Sequence, residues 1–323
     1  MSGARSGTTA DDGLPLPPSF EAYADESLAQ APAGGPGKNG LLEATFARRD
    51  DGPTRLIRDH VTVPYHLTGT LDTDPVPGLT TLVAQEPTGG VAQGDRHRMR
   101  IDARAGARAH VTTQSATKVH SMTANYAHLD TALRAAEGSY LEYVPGPTIV
   151  NEDARCLQTI DVELADDAVV VVADVLVPDG LSDHEPFGFD HYQSRVEAEH
   201  EGRLVCADAV DLRPNERDPR DPASVGEYGV VGSLYVFAPS GDDHDDAPAP
   251  GESDLEALID GIHDEIADRD GVEAGVSRLP HDVGAVVRLL GHREADVTET
   301  LRAAWDATRR QLVGVGVPAD RRY

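Results

Sequence analysis

Between residues 40 and 213 apolar and polar positions alternate with a period of two, the spacing of a strand with one buried face. LLEATFARR and RLIRDHVTVPYHL alternate weakly. MRIDARAGARAHVTTQ is clearer: Met99, Ile101 and Ala103 alternate with charged residues, a turn follows at Gly106, and Ala109 and Val111 resume the pattern. The unit recurs in DTALRAAEGSYLEYVPG, QTIDVELADDAVVVVADVLVPDG and SRVEAEHEGRLVCADAVDL, with turns at Glu137-Gly138, Asp166-Asp167 and Glu201-Gly202. From Gly106 the turns lie 32, 29 and 35 residues apart. Each unit reads as a strand, a short hairpin turn and a second strand. Repetition at this spacing predicts stacked β-layers, either a β-helix-like body or a large sandwich. AVVVVADVLVP is apolar at both parities, which predicts a strand buried on both faces.

The period changes near the end of the chain. SDLEALIDGIHDEIADRD places Leu255, Leu258, Ile259, Ile262 and Ile266 on one helical face, and Ser253 and Glu256 have capping-box spacing. EADVTETLRAAWDATRRQLVG predicts a second helix with Val297, Leu301, Ala304, Trp305, Thr308 and Leu312 inward and Gly314 as C-cap. GSLYVFAP, VEAGVSRL and GAVVRLLG read as flanking strands. The predicted architecture is therefore mainly β, a β-helix-like stack of antiparallel or strand-turn-strand layers with a small C-terminal α+β part containing two helices. Residues 1–38, rich in Gly, Pro, Ala and Ser, read as a flexible segment, 39–239 as the β-rich body, 240–252 as an acidic linker and 253–323 as the α+β part.

Composition narrows the partners. The net charge is −28, and lysine occurs only at Lys38 and Lys118. An acidic surface with so little lysine suits high salt, where ions screen self-repulsion. It argues against nucleic acid or an anionic membrane as partner. Cys156 and Cys206 are too few for a disulfide framework or a cysteine zinc site. No apolar run reaches the roughly 18 residues of a membrane span. The start, MSGARSGTTADDG, lacks the apolar core of a signal peptide, which points to a cytoplasmic protein.

Motifs of catalysis are missing: there is no GxSxG, Walker loop or HExxH. GGVAQGD lacks the lysine of a phosphate loop and reads as a tight turn. HEPFGFDHYQSRVEAEH holds His184, Glu185, Asp190, His191 and His200, which on an all-β body could bind a divalent ion as in a cupin-like metalloenzyme. Solvated residues of an acidic surface explain the same stretch. His110 and His120 flank Lys118 in HVTTQSATKVH, with no recognised ligand spacing.

Several stretches in order carry a family resemblance. EPTGGVAQGDRHRMRID, HVTTQSATKVHSM, YLEYVPGPTIV, ADVLVPDG, FGFDHYQSRVEAE, LPHDVGAVVRLLG and LRAAWDATRRQLVG resemble the UreD (UreH) family of urease accessory proteins, from about residue 40 to 315. The resemblance implies a scaffold and not an enzyme. It implies a β-helix-like body with a small helical part, binding to UreF, to the GTPase UreG through UreF, and to the urease structural subunits. It implies transient Ni²⁺ on its way to the dinuclear urease site, and no tightly bound cofactor.

By resemblance, Asp95, Asp174 and Asp208 line the nickel path. The plainer reading makes Asp95 a turn-capping acid and gives the other two arginine partners. Lys118 is expected at a functional surface or beside the path, pairing with a carboxylate of the path or of UreF. His120 stands where the family often has an aromatic, which leaves a metal role open. Gln93 replaces a family glycine. The competing readings are the cupin-like enzyme using His184, Glu185 and His191, and a structural partner with no metal path.

Overall fold

A computed structural model describes residues 15–28, 37–49, 52–179, 186–239 and 252–318. The strands of the described residues fall in two facing sheets, of seven and ten strands. In the first, Asn39–Arg48, Arg96–Ala103, Ala127–Ala135, Arg155–Leu164 and His191–His200 lie side by side in parallel. In the second, Thr80–Ala84, Arg108–Thr113, Tyr140–Tyr143 and Val169–Pro178 do the same. Successive repeats therefore stack, as the spacing predicts.

The turns act differently from the hairpins expected of them. At Gly106, Gly138 and Asp167 the chain leaves one sheet and enters the other, so the two strands of a unit face each other across the core. Each of these turns carries one residue of positive φ, at 66°, 63° and 56°. Each closes with an i to i+3 hydrogen bond: Ala107 N–H to Arg104 O, Ser139 N–H to Ala136 O and Ala168 N–H to Ala165 O. That is the type II pattern, which does not bring flanking strands into one ladder. Only the last turn is a hairpin. Glu201 and Gly202 both have positive φ, 50° and 73°, the requirement of a type I′ turn, and His191–His200 pairs antiparallel with Arg203–Leu212.

Arches of this kind send alternate residues of both strands into one interior. Ile101, Leu133, Ile160, Val162 and Val196 from the first sheet meet Val111, Leu141, Val170 and Val172 from the second. The other parity of Val169–Pro178 also lacks solvent. Val171, Ala173 and Val175 pack under helices α2 (Glu252–Ile266) and α3 (Glu294–Val313) through Leu258, Ile262, Leu301 and Trp305. This explains why that strand is apolar at both parities. Gly314, at φ 72°, caps α3 as predicted. Helix α2 begins at Glu252, and the side chain of Ser253 lies outside the described residues, as does the stretch 240–251 of the expected acidic linker.

The segment expected to be loose departs from that expectation in part. Pro18–Ala24 form a short helix whose Phe20 is fully buried against Tyr126 and Leu157. Glu26 pairs with Arg155 at 2.7 Å. Phe20 and Tyr23, with Glu26 accepting from Arg155 and the Asn125 N–H, dock this stretch on the outer face of the seven-stranded sheet. No helix among the described residues is long and apolar enough to cross a membrane.

Helix α3 is fixed by a buried charge network. Glu142 accepts from Arg309 Nε at 2.8 Å, Trp305 Nε1 at 2.9 Å and the Tyr140 hydroxyl at 2.6 Å. His110 Nδ1 lies 3.0 Å from its second oxygen. Arg309 also reaches Asp74 at 2.9 Å. Burial pushes the Glu142 pKa up, but His110, Arg309 and Tyr140 together hold it below the usual carboxylate range. Removing one partner strands the other charge, at about 3–5 kcal/mol. Arg309→Met should lower the unfolding free energy by about that amount in chemical denaturation, and Glu142→Gln added to it should restore part of the loss. A loss under about 1 kcal/mol would contradict the role assigned to the network.

Candidate functional site

The interior between the sheets is mainly apolar, with polar side chains gathered towards one end. At one end a cavity of about 280 Å³ is lined by Glu86, His97, Lys118, Tyr143, Thr148 and Gln158, among others. Parity places several of these inward: His97 shares it with Met99 and Ile101, and Gln158 with Ile160 and Val162. Gln158 joins the cavity to the deeper interior. Its Oε1 accepts from Thr148 Oγ1 at 3.3 Å, and its Nε2 donates to Asp174 Oδ1 at 2.9 Å.

Asp174 also accepts from Ser194 Oγ at 2.7 Å. Part of its surface stays accessible, yet burial raises its pKa, opposed by the Ser194 and Gln158 hydrogen bonds and by the charge of Arg288. Strand register sets Asp174 beside Ser233, and Ser233 beside Arg288. Arg288 donates to Ser233 Oγ at 2.5 Å and forms an ion pair with Asp208. The Tyr235 hydroxyl donates to Asp208 at 3.1 Å. Desolvation lowers the Arg288 pKa, with Asp174 acting against it. Asp208 is thus paired with Arg288, which stands two strands from Asp174 and acts on it through charge. Asp208 has the arginine partner that the plainer reading expects, whereas Asp174 is hydrogen-bonded by neutral donors.

Asp95 sits at the cavity end and is 2% exposed. Its carboxylate accepts from the Lys38 N–H at 2.6 Å and the Ala92 N–H at 2.9 Å, and pairs with Lys38 Nζ at 3.0 Å. It caps the glycine turn, and of the two lysines Lys38 is the one that meets a path carboxylate. Lys118 lies exposed at the mouth of the cavity and forms no ion pair with a described residue. His120 Nε2 is 3.0 Å from the Gly89 carbonyl, at the same rim.

The described members of the histidine cluster, Asp190, His191 and His200, each have their own partner. His184 and Glu185 lie outside the described residues. His191 is buried on the outer face of its sheet, stacked on Phe20 at 4.2 Å and bonded to Asp211 at 2.9 Å. His200 ends the same ten-residue strand and pairs with Asp166. Asp190 is taken by Arg155 at 2.9 Å. Among the described residues no three His, Cys, Asp or Glu side chains converge as a metal cage. What the interior offers is a row of separated oxygen and nitrogen donors.

Sequence reasoning missed Glu86, His97, Gln158, Ser194 and Arg288. The period of two held the signal for His97, Gln158 and Ser194, which are polar residues at inward positions of apolar strands. Burial drives the His97 pKa down to about 4, against the pull of Asp95 and with the push of Lys38. Between its ordinary 6.5 and about 4, the unfolded chain binds a proton that the folded chain refuses, so stability falls as pH falls through that window. Denaturant titrations across pH should show a smaller loss for His97→Gln than for the parent; equal slopes would contradict a buried neutral imidazole.

Comparison with known proteins adds the family. The pattern described as UreD urease accessory protein matches residues 38–322. The chain is 65% identical over 308 residues to the urease accessory protein UreD of Natronomonas pharaonis, covering 95% of this chain and 99% of the relative. It is 53% identical to that of Haloquadratum walsbyi, with 96% and 98% covered. At greater distance it is 31% identical to urease accessory protein UreD 2 of Brucella suis, with 92% and 95% covered. The chain belongs to the UreD family of urease accessory proteins.

Proposed function

We propose that this protein is a urease maturation factor that conveys Ni²⁺ to apo-urease along the donor line inside its two-sheet body. It works in the cytoplasm as a scaffold, without turnover of its own. It binds UreF, and UreG through UreF, and docks on the urease structural subunits. Nickel is its transient cargo. The observation that carries the reading is the hydrogen-bonded link from the cavity through Gln158 to Asp174, with the Arg288–Asp208 pair two strands further along the sheet. Buried polar groups are expensive unless they are partnered. A hydrophobic isostere at Asp174 would stabilise the body more simply, so a carboxylate held there by Gln158 and Ser194 points to use.

Transfer needs sites that bind and let go. Oxygen and imidazole donors suit a divalent first-row ion, and a closed four-ligand cage would hold it. Asp174 hangs from two neutral donors and is free to exchange one for a metal. Asp208 is neutralised by Arg288, so an ion passing it must displace the guanidinium or ride alongside. Exposed at the cavity rim, Lys118 meets a carboxylate of a docked partner such as UreF in this reading. A compact ammonium and arginine's planar fork do not substitute for each other there.

Co-expression with urease tests the reading. Asp174→Asn and Asp208→Ala should each lower the nickel content of purified urease several-fold while capture of UreF persists. Unchanged nickel content with the complex intact would leave a structural partner without a metal path. Lys118→Arg should reduce urease activation by weakening partner capture; full activation would remove its assigned role.

A further inference from the structure

The His97 imidazole is 1% exposed, and both of its ring nitrogens lack a hydrogen-bond partner. Buried polar atoms are nearly always paired, so two orphans on one ring call for a cause. The ring lines the cavity, packed edge-on against Tyr65 at 5.6 Å. Its Nδ1 is 3.8 Å from Glu86 Oε2, a carboxylate lining the same cavity. Its Nε2 is 4.0 Å from Asp95 Oδ2, but that oxygen is already held by the Ala92 N–H and Lys38.

We propose that Glu86 and His97 form a two-donor cation site in the wall of the cavity, taking a divalent first-row metal ion in transit. Imidazole and carboxylate both suit such ions. Metal bonds to these donors run to about 2.1 Å, so donors 3.8 Å apart can reach one ion together. The cavity of about 280 Å³ leaves room for water on the remaining positions. Glu86 is lightly committed, accepting only from Thr88 Oγ1 at 3.2 Å among its described side-chain bonds. Lys38 stands close by, its ammonium held by Asp95 at 3.0 Å and by the Gly90 carbonyl at 2.9 Å. That positive charge cancels Asp95 and keeps the site weak. Two protein ligands beside a fixed cation favour brief residence over storage.

The choice of Ni²⁺ as probe rests on the delivery reading, while the site itself rests on the geometry. The test is a titration of the full-length, histidine-labelled protein with Ni²⁺ in molar sodium chloride, followed by NMR. The His97 ring signals should broaden first, below one equivalent. Glu86→Gln and His97→Gln, checked for an unchanged melting temperature, should each weaken calorimetric Ni²⁺ binding by ~10-fold or more, at least the loss seen when outer-shell partners of a metal are removed. His97 signals that stay sharp while others broaden, or variants that bind like the parent, would overturn the proposal. A chain that binds at His97 but whose Asp174→Asn variant still fills urease keeps the site and loses the delivery reading. The reverse pair of results keeps delivery and loses the site.

Discussion

A carboxylate between two apolar sheets has few ways to persist. It must be hydrogen-bonded, paired with a cation, or neutralised. Asp174 takes the first route, through Gln158 and Ser194; Asp208, on the edge strand with its side chain 30% exposed, takes the second through Arg288. These supports come from different strands of both sheets, so each acid is satisfied only when the layers are stacked in register. The polar line is therefore a consequence of the fold and also a constraint on it. A slip of one residue in any contributing strand would turn its donor to the outer face.

The arches make such a line possible. A hairpin would keep both strands of a repeat in one sheet and give each its own exposed face. A turn with a single left-handed residue sends the second strand across, so every repeat adds inward side chains from two sides to a shared interior. Helices α2 and α3 then close the outer face of the ten-stranded sheet, and the Glu142–Arg309 network locks α3 to it. The charged network under α3 and the polar line between the sheets lie on opposite faces of the same strands. Glu142 turns outward from Tyr140–Tyr143 to meet α3, while its neighbour Tyr143 lines the cavity.

Much of the fold was legible because period and turn spacing are local. The stacked layers, the doubly buried Val169–Pro178, both C-terminal helices and the Gly314 cap all follow from patterns within a few residues. The crossing of sheets was not legible, since Gly138 and Gly202 look alike in sequence and differ in whether the preceding residue also has positive φ. The anchoring of Phe20 depends on a pocket built from residues over a hundred positions away. For the site, resemblance pointed to Asp95, Asp174 and Asp208, but their partners come from distant strands. Arg288 lies 80 residues beyond Asp208 in the chain and touches it only through sheet pairing and the closing of the sandwich. Lys118 and Lys38 illustrate the same limit, since nothing local says which of them meets Asp95.

Delivery through the body requires that cations enter the space between the sheets. Crystals of the protein soaked in Ni²⁺ and measured at the nickel absorption edge address it directly. The account predicts anomalous density between the sheets, within bonding reach of Asp174 or of donors along the line to the cavity. Density confined to the outer acidic surface, with the interior empty at saturating Ni²⁺, would contradict it.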